Sequence, residues 1–102
     1  MKAAVTLAAA AMLALSANAA FASKELAQKY ACLGCHQEAR KVVGPAYKDV
    51  AKKYKGDAKA EEHLVHVIQK GGKGVWGNIP MPAQPRVNEA DAKALAMWIL
   101  SM

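Results

Sequence analysis

The stretch Cys32-Leu33-Gly34-Cys35-His36 (CLGCH) decides how the rest of the chain is read. Two cysteines three positions apart, with a histidine directly after them, fit three chemistries. They suit a redox-active thiol pair, half of a zinc site, or the attachment point of a covalent haem. The surrounding chain has to choose among them.

At 102 residues the chain is long enough for one small domain. Its first residues have the layout of a secretory signal peptide. Met1 and Lys2 form a short positive start, Ala3 to Leu15 is an uncharged apolar run, and small residues follow to Ser23. The run is shorter than the roughly 20 residues that a membrane-spanning helix needs. Ala20-Phe21-Ala22 fits the A-x-A rule and places cleavage after Ala22, with Ala17-Asn18-Ala19 as the alternative. The expected organisation is a removed signal over 1–22 and one domain over 23–102, exported to the periplasm without stable membrane insertion. Removal takes away one lysine and no acid, so the formal charge of +6 becomes +5. The lysines are scattered among acids with few aromatics between them. That pattern disfavours nucleic acid and suits docking to an acidic protein partner. A monomer is expected.

Four helical segments are predicted, and no alternating strand pattern is present. The first covers about 24–31, with Ser23 as its cap and Leu26, Ala27 and Tyr30 on one face. The second starts within GPAYKDVAKKY, where Pro45 suits the first helical position and Gly56 follows the end. The third runs from Asp57 to about Lys70, with Ala60, Leu64, Val67 and Ile68 on one face. The fourth follows Asn88, with Asp91 three residues on in the manner of a capping box. Leu95, Trp98, Ile99 and Met102 form its stripe. The segment between the last two helices, residues 71–87, holds four glycines and three prolines yet carries Trp76, Ile79 and Met81. Apolar residues in an irregular segment need something to pack on.

This setting selects among the three readings of CLGCH. Zinc lacks a second cysteine pair, and His36 is an awkward chelate partner for the adjacent Cys35. A dithiol redox motif belongs at a helix N-terminus in a βαβ unit, and no strand is predicted. C-x-x-C-H is the c-type haem pattern. Its two thiols bond the two haem vinyl groups, and the adjacent histidine supplies a nitrogen to the iron. For the sixth ligand, Met1 and Met12 leave with the signal, and Met97 and Met102 read as packing residues of the last helix. His63 and His66 read as exposed, leaving a bis-histidine site as the alternative. Met81, held between Pro80 and Pro82, is the favoured ligand; filling a gap in the core is its other reading.

The stretches CLGCH, KVVGPAYKDVAKKY (41–54), GGKGVWGNIPMP (71–82) and DAKALAMWILS (91–101) closely resemble the short bacterial class I cytochromes c of the c-551/c-552 group. The resemblance covers nearly all of 23–102. It implies an all-α fold of four to five helices around one covalent haem c, with the first and last helices crossing near Leu26, Tyr30, Leu95, Trp98 and Ile99. It implies thioethers at Cys32 and Cys35, with His36 and Met81 as axial iron ligands. The Pro45 carbonyl would accept a hydrogen bond from His36, and the Trp76 indole would donate one to a haem propionate. The implied function is a periplasmic one-electron carrier, not an enzyme, serving a terminal reductase or oxidase such as nitrite reductase. A haem sensor or peroxidase-like enzyme with a displaceable sixth ligand is the alternative. Lys41, Lys48, Lys70 and Lys73 are candidate rim residues for docking. Two departures from the pattern stand out. Val67 occupies a place where many relatives carry a basic residue, which is expected to shift a propionate titration upward. MPAQ replaces the usual MPP followed by Asn, so a hydrogen bond to the Met81 sulfur would have to come from Gln84.

Overall fold

The computed structural model describes residues 23–102; the expected signal segment and both cleavage sites lie outside them. The fold is all-α. Helix α1 occupies the described residues 23–29, followed by a 3₁₀ turn at Cys32–Gly34, α2 at Tyr47–Tyr54, α3 at Ala60–Lys70 and α4 at Glu89–Leu100. Among the described residues the only ladder-type pairings are two isolated bridges, His36 with Lys41 and Gly72 with Met81. No described helix is long and apolar enough to cross a membrane.

Helix α4 is the element on which the others meet. It packs on α3 and α2, and it divides the core into two clusters. Ala92 and Leu95 join Ala27 of α1, Tyr30 just after it, Ile68 of α3 and Val87. Ala96 and Ile99 join Tyr47 and Val50 of α2 and Leu64 of α3. Ala92 and Ala96 are wholly buried. Their small side chains let neighbouring backbones approach closely, a role that a search for large apolar residues passes over. The crossing of α1 on α4 therefore runs through Leu26, Tyr30, Leu95 and Trp98, as expected, whereas Ile99 faces α2 and α3. Met97 was expected to pack but is 60% exposed on the outer face of α4, because the buried stripe of that helix passes through Leu95, Ala96 and Ile99 instead. Met102 is half-buried against the second cluster.

Hydrogen bonds tie the helices at their ends. The Asn88 side chain accepts from the Asp91 backbone N–H at 2.8 Å, the expected cap. The reciprocal half of a capping box is replaced, since the Asp91 carboxylate accepts from the Tyr30 hydroxyl at 2.6 Å. That bond and the surrounding burial hold the Tyr30 hydroxyl above its ordinary pKa. Ser23 lies within the helix, and its hydroxyl donates to the Ala94 carbonyl at 3.2 Å. Both contacts join α1 to α4.

Three helix starts and ends differ from the expected ones. Helix α2 begins at Tyr47 and not at Pro45, because Ala46 is extended and acts as the N-cap. Asp57 opens a turn in which its side chain accepts from the Lys59 N–H at 2.8 Å, and α3 proper starts at Ala60. Helix α1 stops at residue 29 and not 31, because Ala31 turns into the left-handed region at φ 58° and ψ 26°. Ala31 is the one described non-glycine residue with positive φ. Alanine there costs about 1–2 kcal/mol, and glycine removes that strain at the expense of a floppier unfolded chain. Ala31→Gly should therefore stabilise the protein by about 0.5–1 kcal/mol, raising the thermal midpoint of the holoprotein by about 4 °C.

Candidate functional site

The left-handed turn at Ala31 feeds the chain directly into the 3₁₀ turn at Cys32–Gly34. The Cys35 and His36 N–H groups both donate to the Cys32 carbonyl, at 3.2 and 3.0 Å. In a 3₁₀ turn, side chains three apart eclipse. That is the local reason for the C-x-x-C spacing: it presents two sulfurs on one side, with Leu33 and Gly34 bridging the gap. Cys32 is half-buried and Cys35 exposed, and neither is in a disulfide. Burial pushes the Cys32 thiol above the ordinary thiol range, partly offset by a hydrogen bond from Tyr47. Burial likewise raises the Tyr47 hydroxyl.

His36 is fixed on three sides. Its Nδ1 lies 2.8 Å from the Pro45 carbonyl oxygen. A carbonyl can only accept, so Nδ1 carries the proton and Nε2 keeps its lone pair. The carbonyl is free for this role because Pro45 precedes the N-cap of α2, whose ladder starts from the Ala46 carbonyl. Tyr47 stacks on the imidazole at 5.0 Å between centroids and 18° between planes, and meets Trp98 edge-on at 5.6 Å. Gly44 lies on the ring so closely that a Cβ there would overlap it.

Met81 is held on a different part of the chain. It exchanges two backbone hydrogen bonds with Gly72, Gly72 N–H to Met81 O at 3.1 Å and Met81 N–H to Gly72 O at 2.8 Å. Gly71 ends α3 with φ 82°, and a Cβ on it would come within 2.7 Å of the Met81 carbonyl oxygen. The Gln84 N–H then bonds the Ile68 carbonyl at 2.9 Å. The proline-flanked segment is thus stitched to the end of α3 on both sides of Met81. The side-chain amide of Gln84 donates to the Pro82 carbonyl at 3.3 Å.

These pieces line one cavity of about 440 Å³, a size typical of small-molecule sites. Cys32, Cys35, His36, Pro45, Val67, Trp76, Met81 and Gln84 all border it. Its remaining walls are largely apolar, with Val43, Val50, Leu64, Ile68, Ile79, Leu95 and Ile99. No aspartate or glutamate borders it. Val43, Val75, Trp76 and Ile79 are exposed large apolar residues at this cavity, and the Lys53 ammonium stands 5.6 Å over the Trp76 ring. Of the four rim lysines, Lys41 and Lys73 border the cavity, whereas Lys48 and Lys70 are exposed elsewhere. His63 and His66 are exposed, as expected, although His63 also reaches the cavity wall. Tyr47 and Gly44 were not anticipated as site residues. The spacing of Tyr47, Val50, Ala51 and Tyr54 marks the inner face of α2 and would have pointed to Tyr47.

The residues suit a flat, apolar, metal-bearing group with covalent tethers. Two thiols stand together at the wall, an imidazole keeps an unprotonated nitrogen, and a thioether lines the same space. Metal clustering offers no competing account, since no three His, Cys, Asp or Glu residues among those described group to hold a bare ion.

Comparison with known proteins agrees. The family model described as Cytochrome c matches residues 21–102. Cytochrome c-552 of Hydrogenobacter thermophilus is 52% identical over 86 residues, covering 84% of this chain and 87% of that protein. Cytochrome c-551 of Allochromatium vinosum is 51% identical, covering 84% and 92%. The crystal structure of Nitrosomonas europaea cytochrome c552 is similar with a TM-score of 0.75 and 52% identity, covering 76% of this chain and 96% of that one.

The stitching at Gly71 is directly testable. Gly71→Ala combines a disfavoured left-handed φ with a clash against the Met81 carbonyl. It should cost about 1–3 kcal/mol in denaturant unfolding of the holoprotein, a loss that Gly74→Ala, with open space around it, should fall short of.

Proposed function

The chain belongs to the cytochrome c family, a small electron carrier with covalently attached haem c, and from that premise we propose how its residues hold the haem and whom it serves. Cys32 and Cys35 would tether the haem as thioethers. His36 would offer Nε2 to its iron, the ring held by Pro45, Tyr47 and Gly44. Met81 would offer its thioether sulfur to the same iron. The observation that carries this reading is that CLGCH and Met81, far apart in sequence, border the same acid-free apolar cavity.

The haem supplies a one-electron iron couple, and histidine–methionine ligation raises its potential. The protein's part is to keep the two ligands still. Paired hydrogen bonds at Met81 and the clamped imidazole at His36 limit how far either moves when the charge changes, and low reorganisation favours fast outer-sphere transfer. Trp76 offers an indole N–H, a donor suited to a haem propionate. Gln84, next to the Met81 segment, is the candidate for steadying the methionine sulfur.

The export signal ending at Ala22 assigns the carrier to the periplasm, where it passes electrons as a monomer to a terminal reductase or oxidase such as nitrite reductase. Acidic partners dock on the lysine-bearing, apolar rim around Val43, Val75 and Ile79. Lys41 and Lys73, which border the cavity, are placed to matter more there than Lys48 and Lys70.

Two measurements check this. The periplasmic protein, beginning at Ser23, should show the weak far-red methionine-to-iron band when oxidised and bind carbon monoxide poorly when reduced. Met81→Ala should abolish the band and open the iron to carbon monoxide; retention of the band would exclude Met81 as the ligand. For docking, Lys41→Glu with Lys73→Glu should reverse the ionic-strength dependence of electron transfer to an acidic partner protein. An unaltered dependence would remove these lysines from the docking surface.

A further inference from the structure

His36 stands at the cavity, and a chain of ring contacts leads away from it. Tyr47 stacks on its imidazole at 5.0 Å and 18°, and Trp98 meets Tyr47 edge-to-face at 5.6 Å and 71°. Tyr47 is buried and borders the cavity, whereas Trp98 does not border it. Trp98 is half-buried on α4, beside Met97, which is 60% exposed. Its indole N–H has no partner among the described residues, and none of their buried side-chain nitrogens is left unpaired, so this edge of the ring meets water. The remaining stacked pair, Tyr54 with His63, joins two residues that both border the cavity. One ring chain among the described residues therefore runs from a proposed iron ligand to a surface outside the cavity wall.

We propose that Tyr47 and Trp98 carry electrons between His36 and the α4 surface at Met97, a second electron port separate from the cavity rim. This rests on the electron-carrier reading above. A donor at that surface loses one electron and the ferric iron gains it; no bond forms or breaks, and no proton moves. Electron tunnelling weakens exponentially with distance, and most steeply across gaps between non-bonded atoms. Within each ring the path is bonded and delocalised. From indole to imidazole only two gaps remain, and both lie at ordinary aromatic contact distance. The rings bridge the transfer and are not themselves oxidised, since taking an electron from tyrosine or tryptophan needs a far stronger oxidant than a histidine–methionine haem.

Packing holds both gaps constant. Tyr47 belongs to the core cluster of α2, α3 and α4, and Trp98 packs against that cluster and the other one. The Ser101 hydroxyl donates to the Trp98 carbonyl at 2.6 Å and closes the end of α4. The other contact of the imidazole leads elsewhere: its hydrogen bond runs to Pro45, which borders the cavity. The two proposed ports are distinct in position. Lys41 and Lys73 border the cavity, whereas Met97 and Trp98 do not. A carrier built this way exchanges electrons at the rim with one partner while the α4 surface stays open to a second, so donor and acceptor need not compete for one face.

The test uses the intact haem-loaded protein with one added surface thiol, from Met97→Cys or, as the rim control, Lys73→Cys. Each thiol carries a ruthenium bipyridine photosensitiser; Cys32 and Cys35 are tethered in the loaded protein and take no label. A light flash delivers one electron, and haem reduction is followed by absorbance. Trp98→Leu should slow reduction from the label at 97 several-fold and leave the rate from the label at 73 unchanged, at the same midpoint potential. Trp98→Phe, which keeps a ring, should retain most of the rate. Trp98→Met, which refills more of the volume, repeats the comparison where Trp98→Leu does not load haem. Equal rates from 97 with and without the ring, or a loss shared by both labels with a shifted potential, would overturn the proposal and leave the carrier assignment intact. A purified protein without a covalent-haem spectrum would instead overturn the carrier assignment itself.

Discussion

The four helices enclose an apolar space that their own side chains leave unfilled, and the rest of the structure depends on what occupies it. A domain of this size buries only a modest share of its surface and has little core to spare. Here part of the core, Leu64 and Ile68 of α3 and Leu95 and Ile99 of α4, packs into the two clusters and also borders the cavity. A large apolar group in the cavity extends that packing. A covalently held haem meets that need, which is why the cofactor of this family is structural as well as functional. In the proposed reading the two cysteines anchor it and do not cross-link segments of chain.

Helix α4 converts this demand into a defined shape. Its wholly buried alanines bring α1 close on one side and α2 with α3 close on the other. Tyr30, Asp91, Ser23 and Ala94 secure the α1 contact with directed hydrogen bonds at separate points of α4. With α1 so placed, the left-handed Ala31 aims CLGCH at the cavity. The opposite requirement holds at the end of α3, where Gly71 allows the backbone of Met81 to approach within reach of paired hydrogen bonds. Both approaches use a backbone conformation that ordinary residues disfavour, and both stand next to a proposed iron ligand.

Much of this was legible in the residues. The all-α class follows from apolar spacing, the Asn88 cap from its offset to Asp91, and the importance of CLGCH and the Met81 segment from short patterns that local chemistry explains. What was misread shares one cause. Proline suits the first position of a helix, which points to Pro45 as the start of α2, yet its carbonyl is spent on His36 and the helix begins two residues later. Met97 reads as a packing residue because it is apolar, yet alanines fill the buried stripe beside it. In each case a tertiary contact outweighed a preference of a few tenths of a kcal/mol to about one.

The sequence by itself therefore determined which residue types were available and at what local spacing: the eclipsed cysteines, the adjacent histidine, the proline-flanked methionine and the glycines that permit tight turns. Those are short-range properties, set by backbone geometry within a few residues. Only the tertiary structure decided that His36 is pinned by Pro45, that Met81 is stitched to the end of α3, and that Tyr54 and His63 share a wall with both. Each of these pairs is nine residues apart, beyond the reach of one helical turn, and their meeting on one cavity wall depends on how α4 gathers α2 and α3, which no local pattern encodes.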